Sequence, residues 1–277
     1  MSLMLKLLTT TLLLSSFVYA ESTSEKIENF LSNEFGDNPR IEKIDVKVVE
    51  VKPLEDLKGW SAYIVAVEAI LKKKPKDLIK QKMIWFSNGI AITKELTNLE
   101  HGDNYTDEIK PTFLKNDYRK ENLVSGNVNA KHRVAIFSDP LCPFCKDFAP
   151  EALEYMKKYP ETFAVYYYHY PIIRIHPASG VIIRAAVVAE HQGFKDVTTK
   201  MYDIKVKARE PKISKILEEF NKVVGSKVTE KDIKEAYVNE QIKRDDAIAR
   251  DLFVNGTPTI YFDDKIDKTR KKYKTVK

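Results

Sequence analysis

The chain has only two cysteines, Cys142 and Cys145, and just two residues separate them. A pair this close cannot staple a large loop, so the chain lacks the distant cross-links that commonly hold exported proteins together. Beyond the first twenty residues no apolar run approaches the roughly 20 residues that a membrane-spanning helix needs. Charge of one sign is not gathered either. The 46 basic and 40 acidic residues are intermingled, for a formal net charge of +6. A nucleic-acid footprint requires clustered Lys and Arg, so no nucleic-acid partner is expected, and the basic stretch from Lys268 to Lys277 reads as a solvated terminus. No internal repeat is evident. His132, His169, His176 and His191 show no paired metal-ligand spacing, and His101 sits on a polar Glu100-His101-Gly102-Asp103 turn.

The start of the chain has the layout of a secretory signal peptide. Lys6 precedes an apolar stretch from Leu7 to Val18, and Val18-Tyr19-Ala20 places small residues at a cleavage site before Glu21. For a membrane anchor the stretch is too short and too rich in Thr and Ser. Cleavage after Ala20 and export are therefore expected. The remaining length suits one or two compact domains, and an apolar fraction of 43% is ample for real cores.

Two regions differ in pattern. Ser22 to Ser32 has helical spacing, with Ile27, Phe30 and Leu31 on one side. Strand-like runs follow at Ile41 to Val51, Trp60 to Leu71 and Met83 to Phe86, then a turn at Asn88-Gly89 and an extended Ile90 to Thr93. This predicts a small helix-plus-antiparallel-sheet domain over 21–102. Residues 103–127, charged and with Pro111 inside, read as a linker that is at least partly helical. From 128 the order changes: strand at Arg133 to Ser138, helix at Phe148 to Tyr159, strand at Phe163 to Tyr168. A helical block over about 178–252 (Val181 to His191, Asp196 to Lys205, Ile213 to Val224, Thr229 to Leu252) precedes a last strand at Ile260 to Phe262. That is α/β ordering.

The chemistry concentrates in Cys142-Pro143-Phe144-Cys145. A strand ends at Ser138 and a helix begins near Cys142. A helix N-terminus offers unpaired N–H groups and positive partial charge, which favour a thiolate on the first sulfur. Cys145 lies one turn further in, near enough to close a disulfide but less exposed. Cys142 then forms the mixed disulfide with a client, and Cys145 resolves it. Pro143 suits the first turn, where its missing N–H costs nothing. The alternative, half of a zinc site, lacks two further ligands.

Cys142-Pro143-Phe144-Cys145-Lys146-Asp147-Phe148-Ala149-Pro150, after a strand, resembles the active-site helix of thioredoxin-fold proteins, whose helix carries a proline at the place of Pro150. Asn255-Gly256-Thr257-Pro258-Thr259-Ile260 resembles their second signature. That resemblance implies a cis bond before Pro258, facing the disulfide, and a Thr257 backbone free to pair with an extended client. Within the superfamily, Ser138-Asp139-Pro140-Leu141-Cys142-Pro143-Phe144-Cys145 and Thr257 are similar to the dimeric periplasmic thiol:disulfide interchange proteins of the DsbC/DsbG type. The resemblance implies an α/β thioredoxin fold with an inserted helical block over residues 128–277. It also implies a small α+β, cystatin-like N-terminal dimerisation domain and a helical linker ahead of it. It implies no cofactor beyond the redox-active Cys142–Cys145 disulfide, homodimerisation, unfolded or wrongly cross-linked exported proteins as clients, and a membrane redox partner of the DsbD or DsbB type.

The chain departs from these relatives in places. Phe144 replaces the His of strongly oxidising motifs, and Ile136 stands where thioredoxins and DsbA-like proteins keep a buried acid. Tyr170-Pro171, His176-Pro177 and the helix with Ala185, Ala186 and Ala189 are similar to DsbA-like proteins. Disulfide isomerase or reductase is the leading expectation, with a DsbA-like dithiol oxidase and a periplasmic holdase chaperone as alternatives.

Overall fold

The computed structural model describes residues 21–276. The expected signal peptide over 1–20 lies outside the described residues. The chain divides into two compact units, one ending at Lys94 and one beginning at Glu95.

In the first unit, α1 (Thr23–Gly36) starts at a capping box. The Glu25 N–H donates to the Ser22 hydroxyl, and the Ser22 N–H donates to the Glu25 carboxylate. Two of the helix's orphan donors are thereby satisfied. A meander follows, β1 (Ile41–Pro53), β2 (Ser61–Leu71), β3 (Lys74–Ser87) and β4 (Ile92–Thr93), paired antiparallel in that order. Ile27 and Leu31, four apart and so on one helix face, share a core with Val46, Tyr63, Val65 and Trp85 from the sheet. Strand β3 begins at Lys74, well ahead of the expected Met83. Its first half is too polar to show alternation. Its pairing comes instead from β2, with Leu78 opposite Ile70 and Lys80 opposite Glu68, the latter an ion pair at 2.5 Å.

The second unit holds a five-stranded sheet in the order β5-β7-β6-β8-β9. It opens with a single helical turn, α2 (Tyr105–Glu108), followed by β5 (Leu123–Ser125) and β6 (His132–Ser138). Next come α3 (Pro143–Lys157) and β7 (Phe163–His169), then α4 (Ser179–His191), α5 (Val197–Lys200), α6 (Ile213–Val224) and α7 (Ala236–Asp251), and last β8 (Thr259–Phe262) and β9 (Lys265–Ile266). β6 and β7 are parallel across α3, while the other pairs are antiparallel. Both sheet faces are covered, so β6 reads as an unbroken apolar run. Val134 and Ile136 join α3, α4 and α6 in one core. Ala135 and Phe137 face Ile248, Ala249 and Leu252 at the end of α7. Gly126, at φ +83°, connects β5 to β6, and any Cβ there would collide with the Phe163 carbonyl.

Three expectations are corrected. The segment 103–127 is no linker helix: only Tyr105–Glu108 is α-helical, followed by 3-10 turns at Lys115–Asp117 and Lys120–Asn122. Phe113 instead ties the segment to the sheet. It is buried against Phe137, Tyr168 and Tyr261, and its N–H donates to the Asp264 carbonyl. Proline at 111 keeps the preceding residue out of the helical region. Second, the run Asp196–Lys205 forms just α5 and a 3-10 turn over Met201–Asp203. Third, the run Thr229–Leu252 is broken. Asp232 accepts from the Thr229 N–H and hydroxyl, local bonds that compete with helix. Glu235 is extended at ψ 148°, and α7 starts only after it.

Candidate active site

Sheet pairing assembles the site. β6 ends at Ser138, and its neighbour β8 starts at Thr259, paired with Phe137. The residues just beyond these ends, Cys142 and Thr257, therefore meet. The thiol of Cys142 lies 3.6 Å from the Thr257 carbonyl oxygen, and the Thr257–Pro258 bond is cis. Cys142 is the N-cap of α3, with extended backbone at φ −70°, ψ 125°, and Pro143 opens the helix. Its carbonyl accepts from the N–H of both Cys145 and Lys146 at 3.0 Å, which fixes the first turn.

The two sulfurs are free thiols in this structure and differ in access. Cys142 retains 5% of its surface and Cys145 none. Burial pushes the Cys145 thiol up to about 11, against the smaller opposing pull of the Asp139 backbone N–H and the Ser138 and Thr257 hydroxyls. The protonated form of Cys145 is thereby favoured, and of the two sulfurs Cys142 is the one that keeps any exposed surface. Pro143 is exposed, and Phe144 projects with 70% of its surface free, an apolar face beside the outer sulfur.

A buried polar shell underlies the loop, and its composition was not foreseen from the sequence. Asp139 is fully buried. One carboxylate oxygen accepts from the Leu141 N–H at 2.9 Å and the Ser179 hydroxyl at 2.5 Å; the other faces the Ile172 N–H at 2.8 Å and His176 Nδ1 at 2.9 Å. One carboxylate thus pins the cysteine loop, the β7–α4 connection and the start of α4 together. On the inner side, the hydroxyls of Ser138 and Tyr202 are 2.6 Å apart, as are those of Tyr202 and Tyr167. Burial raises both tyrosines well above their ordinary range, so both remain protonated.

The other histidines serve the framework. His169 ends β7 in full burial, which lowers it to about 4 and keeps it neutral. His132 pairs with Asp263 at 2.7 Å, and His191 stacks on Tyr237. Among the described residues no group of three or more His, Cys, Asp or Glu is placed to hold a metal ion. No helix among them is long and apolar enough to cross a membrane.

The second unit is therefore a thioredoxin-like α/β domain with two thiols at the start of its first sheet-crossing helix. The sequence profile described as Thioredoxin (Thioredoxin_4) matches residues 119–277, more than half of the chain, and the chain belongs to that family. No curated protein matches it. Among solved structures it is similar to BdbD from Bacillus subtilis, at 17% identity over 60% of this chain and 92% of that one, with a TM-score of 0.48. It is also similar to a thioredoxin-like oxidoreductase from Silicibacter pomeroyi (22% identity, 55% and 87% of the two chains, TM-score 0.45). A third similarity is to Proteus mirabilis ScsC in a compact conformation (20% identity, 54% and 73%, TM-score 0.44).

Proposed function

We propose that this chain is an exported thiol–disulfide oxidoreductase that rearranges or reduces disulfides in secreted proteins. The observation that supports this most directly is the unequal pair of thiols: Cys142 at a helix start beside the Thr257 carbonyl, Cys145 sealed one turn below it. The cycle follows from that inequality. Cys142 as thiolate attacks a client disulfide, one client sulfur departs as a thiol, and a mixed disulfide remains. The client's own thiol can then attack, returning a rearranged client. Otherwise Cys145 attacks the Cys142 sulfur, releasing the client reduced and leaving the Cys142–Cys145 disulfide. No cofactor is required beyond that disulfide. Pro143 and Phe144 shape the exposed face, and Thr257 with Pro258 forms the client-binding edge.

The proposal extends to a DsbC/DsbG-type arrangement. The signal peptide directs the chain to the periplasm, the first unit serves as the dimerisation domain, and a membrane partner of the DsbD type keeps Cys142 reduced. A dithiol oxidase of the DsbA kind, recharged by a DsbB-type partner, is the second reading. Its support is the stretch from Tyr170-Pro171 to His176-Pro177 with Ala185, Ala186 and Ala189 of α4, which are similar to DsbA-like proteins.

Insulin reduction and refolding of a scrambled substrate test the core of the proposal. Cys142→Ser is expected to be inactive in both, and full activity in that variant would sink the assignment. The reduction potential against glutathione, with native mass on the same sample, separates the finer readings. A dimer of intermediate potential is expected. A strongly oxidising monomer would mean the oxidase.

A further inference from the structure

Resolution needs a nucleophile at the least accessible sulfur in the site. Cys145 has none of its surface exposed, and the polar groups set against it are the Asp139 backbone N–H and the hydroxyls of Ser138 and Thr257. Two features mark these hydroxyls as more than incidental. Thr257 Oγ1 is buried without a hydrogen bond in this thiol form. Ser138 is the end of a chain of three hydroxyls, at 2.6 Å to Tyr202 and a further 2.6 Å to Tyr167. The chain draws one member from the end of β6, one from the 3-10 turn after α5, and one from β7. Hydroxyls both donate and accept, and such a chain can point all its protons one way. Directed inward, Tyr167 donates to Tyr202, Tyr202 to Ser138, and Ser138 to the sulfur.

We infer that Ser138 turns its hydroxyl to the Cys145 sulfur, with Tyr202 and Tyr167 positioning it, and that this chain supplies the hydrogen bond that stabilises the Cys145 thiolate during resolution. The inference rests on the exchange activity proposed above and adds the machinery of its second step. In that step the Cys145 sulfur bonds to the Cys142 sulfur and the bond between Cys142 and the client breaks. The electron pair leaves on the client sulfur, and the proton lost by Cys145 ends there. Nothing outside the two partners is oxidised or reduced. Because burial keeps Tyr202 and Tyr167 protonated, the donors are in place throughout the pH range in which exchange runs. The titratable groups facing Cys145 are Cys142 at the start of α3, Tyr167 on β7 and Tyr202 on the turn. Asp139 lies just behind, held by His176.

The test uses the reduced full-length protein and 5,5′-dithiobis(2-nitrobenzoate). Attack by Cys142 releases one thionitrobenzoate, and resolution by Cys145 releases a second, so the two steps appear as two phases. Ser138→Ala and the near-isosteric Tyr202→Phe are expected to leave the first phase unchanged. Both should slow the second by about tenfold or more, the effect of one hydrogen bond lost to a charged sulfur, and move its pH midpoint upward. An unaltered second phase in Tyr202→Phe, in rate and pH midpoint, would overturn the inference. So would equal slowing of both phases, which would mean only a loosened site. Failure of the exchange reading looks different: the wild type would show no fast first phase, or Cys142→Ser would keep it.

Discussion

The two units solve the same packing problem with different contents. The first lays one amphipathic helix on one face of an antiparallel meander, and the core between them is apolar (Ile27, Leu31, Val46, Val65 and Trp85), with Ser87 at the end of β3 as its one buried polar residue among those described. The second covers both faces of its sheet, and among the cores it buries Asn122, Ser138, Asp139, His169, His176, Ser179 and Asp245. A buried polar group costs stability unless it is fully bonded, so such groups are not casual filling. Four of them, Ser138, Asp139, His176 and Ser179, gather around the cysteine loop. A framework can be built from apolar residues alone, while a site that holds one thiol outward and another sealed must place donors and acceptors inside. The first unit is thus read as scaffold and the second as the seat of chemistry.

The sharpest way to break that contrast is to exchange the consequences of mutation between units. Cys142→Ser should remove disulfide exchange entirely, whereas Val65→Asp, which puts a charge in the first core, should unfold that unit and leave the thiols reactive. Reactivity lost in Val65→Asp would show that the units do not act separately. Next in size is Asp139→Ala. It orphans the Leu141 and Ile172 N–H groups, His176 and Ser179, and should destabilise the second unit by about 3–5 kcal/mol, as for other broken buried polar networks. Denaturant melts would read the loss, and a change under 1 kcal/mol would mean that Asp139 organises little. Leu31→Ala should cost the first unit on the order of 2–5 kcal/mol with no change in cysteine alkylation rate.

The smallest effect concerns pH. Burial raises Asp245 to about 7, although it accepts from Asn122 and the His169 N–H. Between about pH 4 and 7 the folded state keeps a proton on Asp245 that the unfolded state has lost. Stability therefore falls as pH rises through that window, by up to about 1.4 kcal/mol per pH unit. His169, lowered to about 4, acts in the opposite sense from about pH 4 to 6.5. The signature is consequently a difference: Asp245→Asn should gain on the wild type as pH rises from 4 to 7. Parallel stability curves would contradict the assignment.

What the sequence made legible follows from how local each signal is. The boundaries of α6 were readable because its apolar positions follow the helical period, and β6 was readable as a short apolar run. Cys142 and Cys145 could be singled out because spacing and neighbours carry their meaning. The cis bond between Thr257 and Pro258 and its place beside Cys142 were legible only through the likeness of two short motifs to those of thioredoxin-fold proteins. The first half of β3 was not readable, since its pairing is fixed by the strand beside it. The segment 103–127 was misread because Phe113 owes its place to aromatic residues far along the chain. Tyr202 carried no local signal at all: it reaches Ser138 only because the fold brings the turn after α5 to the end of β6. Asp139 does carry one, a carboxylate directly after an apolar strand and three residues before a cysteine.

The central claim is the division of labour between the two sulfurs, and a limiting amount of iodoacetamide tests it most directly. Added to the reduced, folded protein at neutral pH and followed by peptide mass mapping, it should place the label on Cys142 and leave Cys145 unmodified until denaturant is added. Label on Cys145 in the folded protein, or equal label on both, would contradict the account.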